Sequence, residues 1–498
     1  MTALAVDVGT SMIKTVLYDA EGNEVVVSRQ ATEVQRPHAG WAEQDMEAVW
    51  NAVVFTIRSV LPRATEPVDF VSITAQGDGC WLVDEAGAPT GPAILWSDGR
   101  AAEIVDSWRH DGLLEKAFRF SGSLTFPGLP NAILTWLAEN DPERLQRSST
   151  ALYAGGWLFL RCTGERVADE SDASAPFLDL ASRAYSQEIR SLFGLDWAQH
   201  LLPEIRADGE RAGKLTPAAA AELGLTAGLP VVLAPYDIVS TSIGVGATSP
   251  GRACTILGTT ICTEVVRDTV DTSGEPAGLT IAFGSDRGVL RAFPTLAGAE
   301  VLVWAANLLG VPHPRDVITL AGESRPGAHG LVFLPYLSPA GERAPFLDTR
   351  ARGTFWGLSL EHQRADFARA VLEGLTLVIR DCLEASGAHT EELRVCGGGA
   401  ANTLWCQLIA DVVGVRVLRS ADSEVGAKGA FLSGLVATGR QPDLEAAVTR
   451  YVRTCASCDP DPHLAAMYTR LYSDFRRLRD VARDGWTIQA ARKGESHV

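Results

Sequence analysis

The sequence predicts an α/β fold built from two similar halves. Apolar segments of strand length alternate with long amphipathic segments, as in proteins whose helices pack on sheets. A short strand pattern that ends in a Gly-Thr turn occurs twice, at Gly9 and at Gly258, about half a chain length apart. Repetition at that distance indicates two halves of like architecture, each opening with a β-hairpin. By length alone, 498 residues suffice for about three domains.

The elements follow from turn residues and from apolar periodicity. Two β-rich runs within 4–19 flank a Gly-Thr-Ser turn, and a second turn follows at 20–23, so the chain opens with a hairpin. In the rest of the first half we expect strands at 70–74, 94–96 and 229–234 and helices at 131–139 and 153–163. In the second half we expect a hairpin at 254–266, strands at 331–334 and 393–395, and helices at 366–385, 402–413 and 462–482.

The composition excludes several classes of protein. Apolar residues make up 46% and charged residues 21%, the balance of a globular chain. No apolar run approaches the ~20 residues of a membrane helix, and no signal-peptide pattern opens the chain, so we expect a cytoplasmic protein. The net charge of -17 argues against nucleic acid or an anionic membrane as a partner. It is compatible with an anionic substrate held by local amides and a few cations.

The nine cysteines are spread along the chain, which favours reduced thiols over a disulfide framework. Cys455 and Cys458 form a Cys-x-x-Cys pair, with His463 nearby. The pair lacks the two further ligands of a zinc site, and its surroundings do not resemble a redox fold. We therefore expect two reduced thiols in a connecting loop.

Two turns of small residues are suited to binding phosphate. Thr10 and Ser11 follow the first glycine, and Thr259 and Thr260 follow the second. Such turns bring backbone amides close to phosphate oxygens, and the hydroxyls add donors. One turn alone is commonly an ordinary hairpin turn, whereas a pair could hold a polyphosphate from two sides.

Two charged residues near the first turn fit the same purpose. Asp7 precedes the turn and is suited to the water shell of Mg²⁺, which prefers carboxylates together with phosphates. Lys14 could neutralise phosphate charge. Neither a Gly-x-x-x-x-Gly-Lys-Ser/Thr loop nor a complete Gly-x-Gly-x-x-Gly run occurs, which argues against P-loop and typical dinucleotide folds.

A third glycine cluster, at 397–399, follows a predicted strand and precedes a predicted helix. The bare backbone at Gly398 could let a nucleobase or ribose lie against the chain, and Asn402 could supply hydrogen bonds. The alternative is a turn required only for packing.

Polar residues that follow strands are candidates for the reacting centre, because ligands of open α/β sheets gather at the carboxyl ends of strands. Asp237 follows an apolar strand and could accept the proton of a hydroxyl that attacks a phosphoryl group. The alternative is a helix cap. Asp78 also follows a strand, and Trp96 and Asp98 further along could add an apolar wall and hydroxyl contacts.

Taken together, these motifs resemble the FGGY family of carbohydrate kinases, over nearly the whole chain and in the family's order. Its architecture, two actin-like ATPase (ribonuclease H-like) domains with an interdomain cleft, implies an N-terminal domain at 1–243 and a C-terminal domain at 244–498. The long C-terminal signature is the most specific match. The matching segments are 7–11, 41–45, 76–79, 94–100, Asp237, 258–260, 341–345, 353–358, 366–373 and 397–399.

The resemblance implies ATP- and Mg²⁺-dependent phosphorylation of a sugar or polyol hydroxyl, with Asp237 as general base. Related kinases are commonly dimers, so it also implies a homodimer. The implied ATP-binding positions are Thr10, Ser11, Lys14, Gly258, Thr259, Thr260, Gly298, Gly398 and Asn402, with Asp7 for the metal. The implied substrate positions are Gly77, Asp78, Trp96, Asp98 and Asp237.

Two departures concern the substrate. The family often has small residues before the base, whereas Ala234-Pro-Tyr236 precedes Asp237 here, which puts the size of the substrate in question. The loop around Gly77 lacks both the Arg-Glu pair of glycerol kinases and the Met-His pair of D-xylulose kinases. It looks closer to erythritol kinases and the L-xylulose kinase branch, so a four- or five-carbon polyol or ketose is expected, with xylulose, erythritol, ribulose and xylitol all open.

Two other functions fit the same fold. One is an actin- or chaperone-like ATPase that uses nucleotide to drive a conformational switch, and the other is a catalytically silent sugar sensor. The set Asp78, Asp98 and Asp237, together with sugar-stimulated ADP production, discriminates the kinase from the ATPase switch. The intact phosphate loops and Asp237 argue against the sensor.

Overall fold

The computed structural model describes residues 1–207, 209–284 and 288–495, with no description of the side chains beyond residue 491. It contains two compact units, each assembled from three stretches of chain. Unit 1 comprises Met1–Thr248, Arg267–Leu290 and Asp422–Arg453, and unit 2 comprises Ser249–Val266, Arg291–Ala421 and Thr454–Val498. The units interleave along the chain, and the domain limits 1–243 and 244–498 stay a prediction.

The strands are β1 (Ala3–Val8), β2 (Met12–Tyr18), β3 (Glu24–Ala31), β4 (Glu43–Gln44), β5 (Phe70–Ala75), β6 (Trp81–Val83), β7 (Ala93–Ile94), β8 (Thr150–Leu152), β9 (Val167–Asp169), β10 (Leu178–Asp179), β11 (Ala184–Tyr185), β12 (Glu204–Arg206), β13 (Ala212–Lys214), β14 (Pro230–Leu233), β15 (Gly251–Leu257), β16 (Ile261–Arg267), β17 (Leu279–Phe283), β18 (Gly288–Pro294), β19 (Val332–Leu334), β20 (Thr354–Trp356), β21 (Thr390–Cys396), β22 (Arg416–Ser420) and β23 (Thr454–Cys458).

The α-helices are α1 (Met46–Val60), α2 (Ala102–His110), α3 (Leu113–Ser121), α4 (Pro130–Asn140), α5 (Pro142–Arg147), α6 (Ala154–Thr163), α7 (Glu170–Ala173), α8 (Gln187–Leu192), α9 (Pro217–Leu223), α10 (Asp237–Val245), α11 (Ala299–Leu309), α12 (Pro314–Ala321), α13 (Arg364–Ala385), α14 (Thr403–Val413), α15 (Val425–Ala437), α16 (Leu444–Tyr451) and α17 (Ala465–Glu495). Short 3₁₀ turns lie at Leu61–Arg63, Asp196–Leu201, Ala328–Gly330 and Gly398–Ala401.

The central sheet of unit 1 has the order β13-β14-β5-β1-β2-β3. Strands β14, β5 and β1 are parallel, and β2, β3 and β13 run antiparallel to their neighbours. The parallel strands are apolar and almost completely buried, as expected for strands covered on both faces. The three parallel strands therefore bring their carboxyl ends to one edge of the sheet.

Unit 2 repeats this arrangement. β15 pairs antiparallel with β16 and parallel with β21, and β22 and β23 follow in the order β16-β15-β21-β22-β23. Thus β15, β16, β21, β22 and β23 occupy the places that β1, β2, β5, β14 and β13 have in unit 1. The predicted hairpins at the start of both halves are confirmed.

Helix α10 packs closely on α15 within unit 1, through glycines on both helices. A Cβ on Gly244 would lie 1.9 Å from the carbonyl oxygen of Val425, and one on Gly429 would lie 1.7 Å from that of Ser240. Side chains at these positions would force the helices apart, so the glycines fix the position of α10 and of Asp237 at its start.

The other predicted elements occur close to their expected limits. The strand expected at 94–96 is a two-residue strand at Ala93–Ile94, and the C-terminal helix extends beyond its expected end to Glu495. In the part of the chain that the structure describes, no helix is both long and apolar enough to cross a bilayer.

The predicted loop at the Cys-x-x-Cys pair is wrong. Cys455 and Cys458 lie in strand β23, where Cys455 is exposed and Cys458 is buried. The pairing of β23 with β22 shifts register between Arg419 and Ser420, so Cys455 lies in a β-bulge. All nine cysteines are free thiols, and no group of three or more metal-ligating side chains lies together among the described residues.

Candidate active site

The predicted site residues of unit 1 converge at one edge of its sheet. Asp7 lies near the end of β1, Gly77 and Asp78 follow β5, and Asp237 follows β14. These strands are parallel neighbours, so their carboxyl ends bring residues distant in sequence together. Edges of this kind are where open α/β sheets bind ligands.

The turn between β1 and β2 is held in shape by side chains from three other segments. The Thr10 hydroxyl donates to Oε1 of Gln76 at 2.6 Å and accepts from Nε1 of Trp96 at 2.9 Å. Nε2 of Gln76 donates to Oε1 of Gln44 at 2.8 Å, and Nε2 of Gln44 donates to the Thr10 carbonyl at 2.7 Å. Ser11 at the tip is exposed. Hydrogen bonds to Thr10 therefore fix the conformation of the turn, and Ser11 remains exposed at its tip.

Asp7 and Lys14 face each other across the hairpin, with Nζ of Lys14 3.8 Å from Oδ2 of Asp7. The Lys14 ammonium also lies 2.9 Å from Oε2 of Glu424, whose other oxygen accepts from Arg29 at 2.5 Å. Burial raises the pKa of Asp7 to about 6, the Lys14 charge opposes this, and Glu424 adds to it. A Cβ on Gly426 would lie 2.9 Å from Oδ2 of Asp7, so a glycine there keeps space beside the carboxylate.

The segment after β5 has an unusual backbone. Asp78 and Gly79 have φ of 57° and 72°, the left-handed region that a non-glycine residue occupies only at a cost of about 1–3 kcal/mol. A Cβ on Gly77 would lie 2.3 Å from Cδ2 of Tyr236, so the Tyr236 ring lies directly on the Gly77 backbone. Tyr236, the residue that departs from the family pattern, thus occupies space that is open only because position 77 is a glycine.

Asp237 is the first residue of α10, and its Oδ1 accepts from the backbone N–H of Ile238 at 2.8 Å. The predicted alternative, a helix cap, does not describe it, because Tyr236 occupies the cap position. Burial raises the pKa of Asp237 to about 7, the negative charges of Asp7 and Asp78 add to this, and the Ile238 N–H opposes it. A carboxylate with a pKa near neutrality is suited to accept and release a proton.

Asp98 has a different environment from the other carboxylates. It accepts from Nε of Arg100 at 2.8 Å and from the backbone N–H of Ala42 at 2.6 Å. The Asp98 and Arg100 side chains are 0% and 2% exposed, so the ion pair is buried. The Arg100 guanidinium also stacks on Trp41 at 3.8 Å. Asp98 is occupied by these partners, and its substrate role stays a prediction.

Four predicted site residues of unit 2 line a cavity of about 700 Å³, within the range of small-molecule pockets: Gly258, Thr259, Gly398 and Asn402. It lies where β15 and β21 end. Among its walls are apolar side chains and the bare backbone of two glycine turns. The lining residues are Leu257, Gly258, Thr259, Ala299, Leu302, Pro314, Arg315, Ile318, Gly398, Gly399, Ala401, Asn402 and Trp405.

Each glycine of the 397–399 cluster has its own role. Gly397 has φ of 85°, which favours glycine, and a Cβ on Gly399 would lie 2.5 Å from the Trp405 ring. A Cβ on Gly398 would have no atom within 4 Å, so this residue borders open space. Asn402 caps α14, since its Oδ1 accepts from the backbone N–H groups of Leu404 and Trp405.

Gly298 and Thr260 lie outside the lining of this cavity. A Cβ on Gly298 would lie 2.4 Å from the carbonyl oxygen of Thr259 and 2.5 Å from Cα of Thr260. Gly298 therefore allows the 258–260 turn to pack against the start of α11, which begins at Ala299.

Sequence reasoning missed several residues of these two sites. Glu424 and Gly426 flank Asp7 from about 400 positions away in the chain, and Asp172 is a buried acid with electrostatic contact to Asp78 and Asp237. No local pattern marks these residues, because only the folded chain brings them to the sheet edge. For Tyr236 the signal was present, as the residue that departs from the family pattern.

Comparison with known proteins matches both halves of the chain. The model described as FGGY family of carbohydrate kinases, N-terminal domain, matches residues 2–244, and the corresponding C-terminal domain model matches residues 253–438. Erythritol kinase from Brucella abortus (strain 2308) is 31% identical over 513 aligned positions, covering 98% of each chain. L-xylulose/3-keto-L-gulonate kinase from Escherichia coli (strain K12) is 32% identical over 488, covering 95% of this chain and 96% of the relative.

The solved structures agree with these matches. The crystal structure of xylulose kinase from Rhodospirillum rubrum has a TM-score of 0.89 to this chain at 28% identity. The similarity covers 98% of this chain and 100% of the other. The likeness therefore extends over both units.

Proposed function

The chain belongs to the FGGY family of carbohydrate kinases, and on that premise we propose that it transfers the γ-phosphoryl group of ATP to a hydroxyl of a short ketose or polyol. The family fold is the two-domain, actin-like ATPase fold, and its sugar kinases use ATP as phosphate donor. Relatives that are named as kinases match this chain over almost its full length, which does not favour the ATPase switch or the silent sensor.

The observation that carries the proposal is Asp237, a carboxylate with a pKa of about 7 beside Asp7 and Asp78. The substrate hydroxyl oxygen attacks the γ-phosphorus, its bond to phosphorus forms, and the bond from phosphorus to the bridging oxygen of ADP breaks. The hydroxyl proton passes to the carboxylate of Asp237. Positioning and electrostatic stabilisation supply most of the rate in phosphoryl transfer.

Asp7 is the residue we assign to Mg²⁺. A single carboxylate with open space beside it suits an ion that keeps several waters and shares its shell with phosphates, and Gly426 leaves that space. Bound there, Mg²⁺ would neutralise charge that develops on the phosphates. Lys14, whose ammonium lies 3.8 Å from Asp7, would add positive charge on the same side.

For the nucleotide we propose three contact regions. The turn with Thr10 and Ser11 would bind phosphate in unit 1, and the turn at 258–260, packed on Gly298, would bind phosphate in unit 2. The cavity bordered by Gly398 and Asn402 would hold the adenosine, since the open glycine backbone lets a flat base lie against the chain.

On the substrate side we assign Gly77, Asp78 and Asp237, with Trp96 braced against Thr10 as an apolar wall. The buried Tyr236 ring fills space next to Gly77, which favours a small substrate. A small substrate is also supported by relatives named erythritol kinase, L-xylulose/3-keto-L-gulonate kinase and xylulose kinase. We therefore propose a pentulose such as xylulose or a short polyol such as erythritol. We also propose a homodimer acting in the cytoplasm, where ATP is supplied.

The test is ADP release with ATP and Mg²⁺ against D- and L-xylulose, D- and L-ribulose, erythritol, xylitol, ribitol, D-arabitol and glycerol. One compound should stimulate turnover far above the others, and EDTA should abolish it. Asp237→Asn, purified in the same way, is the control for contaminating kinases and should lose at least about 100-fold in kcat while it still binds ATP. Near-normal turnover of Asp237→Asn, or no stimulation by any compound, would contradict the proposal. Light scattering on the eluted protein tests the dimer.

A further inference from the structure

Asp172 is a buried acid that the roles proposed above do not use. Its residue is 3% exposed, and Oδ1 has no hydrogen-bond partner in the described chain. Leaving a buried polar group unpaired costs about 1–3 kcal/mol, so nearly all such groups have partners. The missing partner of Oδ1 is therefore expected to come from outside the chain.

The position of Asp172 is tied to that of the proposed base. The carboxylate of Asp169 caps α7 and accepts the backbone N–H of Asp172 at 3.2 Å and the hydroxyl of Ser171. The Ser171 hydroxyl oxygen in turn accepts from the backbone N–H of Tyr236 at 3.0 Å. Since Tyr236 precedes Asp237, this chain of hydrogen bonds holds the two acids in a fixed relation.

The surroundings of Asp172 are acidic. Burial raises the pKa of Asp172 well above its usual range, and the negative charges of Asp169, Asp78 and Asp237 add to this shift. Its Oδ2 faces the first turn of α6, where a Cβ on Gly155 would lie 3.7 Å away. A neutral carboxyl group offers one O–H donor in addition to its acceptor oxygen, whereas an ionised carboxylate offers acceptors alone.

We propose that Asp172 is a sugar-binding residue whose neutral carboxyl group donates a hydrogen bond to an oxygen of the ketose or polyol bound at Asp78 and Asp237. This inference rests on the proposed function, because it requires a sugar at that site. Asp172 would give the site one hydrogen-bond donor beside the acceptor oxygens of Asp78 and Asp237. A substrate with neighbouring hydroxyls satisfies both kinds, since one hydroxyl oxygen accepts from Asp172 while another donates its proton to Asp237.

The experiment measures sugar binding by calorimetry without ATP, using the compound that stimulates turnover best, together with steady-state kinetics. Asp172→Ala should raise the sugar Kd and KM at least about tenfold and leave the KM for ATP within about twofold. Asp172→Asn keeps the volume, neutrality and an N–H donor, so its sugar Kd should stay within about threefold of wild type. Asp179→Ala, at an exposed aspartate of the same unit, is the control and should change neither constant.

Three results would overturn the inference. Unchanged sugar binding in Asp172→Ala would mean that only water pairs with Oδ1. A loss in Asp172→Asn as large as in Asp172→Ala would mean that the site needs a charged carboxylate, and this variant decides the question even where Asp172→Ala does not fold. Failure of wild type to bind any compound of the panel would overturn the proposed function as well, whereas the first two results leave that function standing.

Discussion

Gly77→Ala is expected to destabilise unit 1, because the Tyr236 ring occupies the space that the added methyl group needs. A Cβ at position 77 would lie 2.3 Å from Cδ2 and 2.6 Å from Cε2 of Tyr236, whereas relaxed carbon atoms lie about 3.5–4.0 Å apart. Gly77 lies outside the left-handed region, so its backbone accepts alanine. Tyr236 is only 5% exposed, so its ring must shift by about 1 Å within packed surroundings.

Overpacking of this kind costs about 1–3 kcal/mol. A unit of this size loses about 2–4 °C in Tm per kcal/mol, so we expect a fall of about 2–12 °C. Tyr236→Ala removes every ring atom that the methyl would meet. In that background Gly77→Ala should therefore cost less than about 0.5 kcal/mol, which gives a coupling energy of about 0.5–3 kcal/mol between the two positions.

The assay is thermal and urea unfolding of wild type, both single variants and the double variant without ligands. Gly398→Ala is the matched control, because an added Cβ there meets no atom within 4 Å, and its Tm should stay near that of wild type. The reasoning is refuted if Gly77→Ala is as stable as wild type. It is also refuted if the substitution costs the same with and without the Tyr236 ring.

Four further outcomes are expected. Gly398→Ala should raise the KM for ATP at least about tenfold, equivalent to ~1.4 kcal/mol, without changing the sugar KM, because its methyl group enters the cavity; unchanged steady-state constants for ATP would place the nucleotide elsewhere. Asp98→Asn should lower stability by about 1–3 kcal/mol, since it removes the charge that pairs with Nε of buried Arg100 while Glu43 stays paired with the same guanidinium at 2.6 Å; a raised sugar KM at unchanged Tm would instead support the substrate role. The kcat/KM for sugar should rise with pH through about 7, because Asp237 must be ionised to accept a proton, and a flat profile from pH 5.5 to 9 would contradict this. Because the raised pKa of Asp237 means that its ionisation opposes folding, Asp237→Asn should melt above wild type at pH 8, by a margin that shrinks as pH falls from about 7 towards 4.

Much of the fold could be predicted from the sequence because local signals and tertiary structure agree. The Gly-Thr turns at Gly9 and Gly258 sit between β-rich runs, and both form the predicted hairpins. The apolar segment before Asp237 is too short for a helix and too apolar for a surface strand, which is the pattern of a buried parallel strand. At Cys455 and Cys458 no such run exists, and strand β23 forms there by pairing with β22.

The site was less predictable, since its side chains depend on partners that no local pattern shows. The sequence predicts a substrate contact at Asp98 because this carboxylate lies near a tryptophan, yet Arg100 two positions later binds it. Glu424 sits beside Lys14 because α15 packs on α10 through Gly244 and Gly429. That packing is a property of the folded chain, and the sequence shows only glycines within a helical pattern.

The crowding of acids at the edge of the unit 1 sheet has a thermodynamic consequence. Burial raises the pKa of Asp7, Asp172 and Asp237, so each carboxyl group is less readily ionised in the folded unit than in the unfolded chain. The acids therefore reduce the stability of the unligated unit near neutral pH. A cation at Asp7 and sugar hydroxyls at Asp78 and Asp237 would offset that charge and desolvation, and ligand binding would then be coupled to folding. The same arrangement that would make Asp237 an effective proton acceptor would thus make the site most stable with substrate and metal bound.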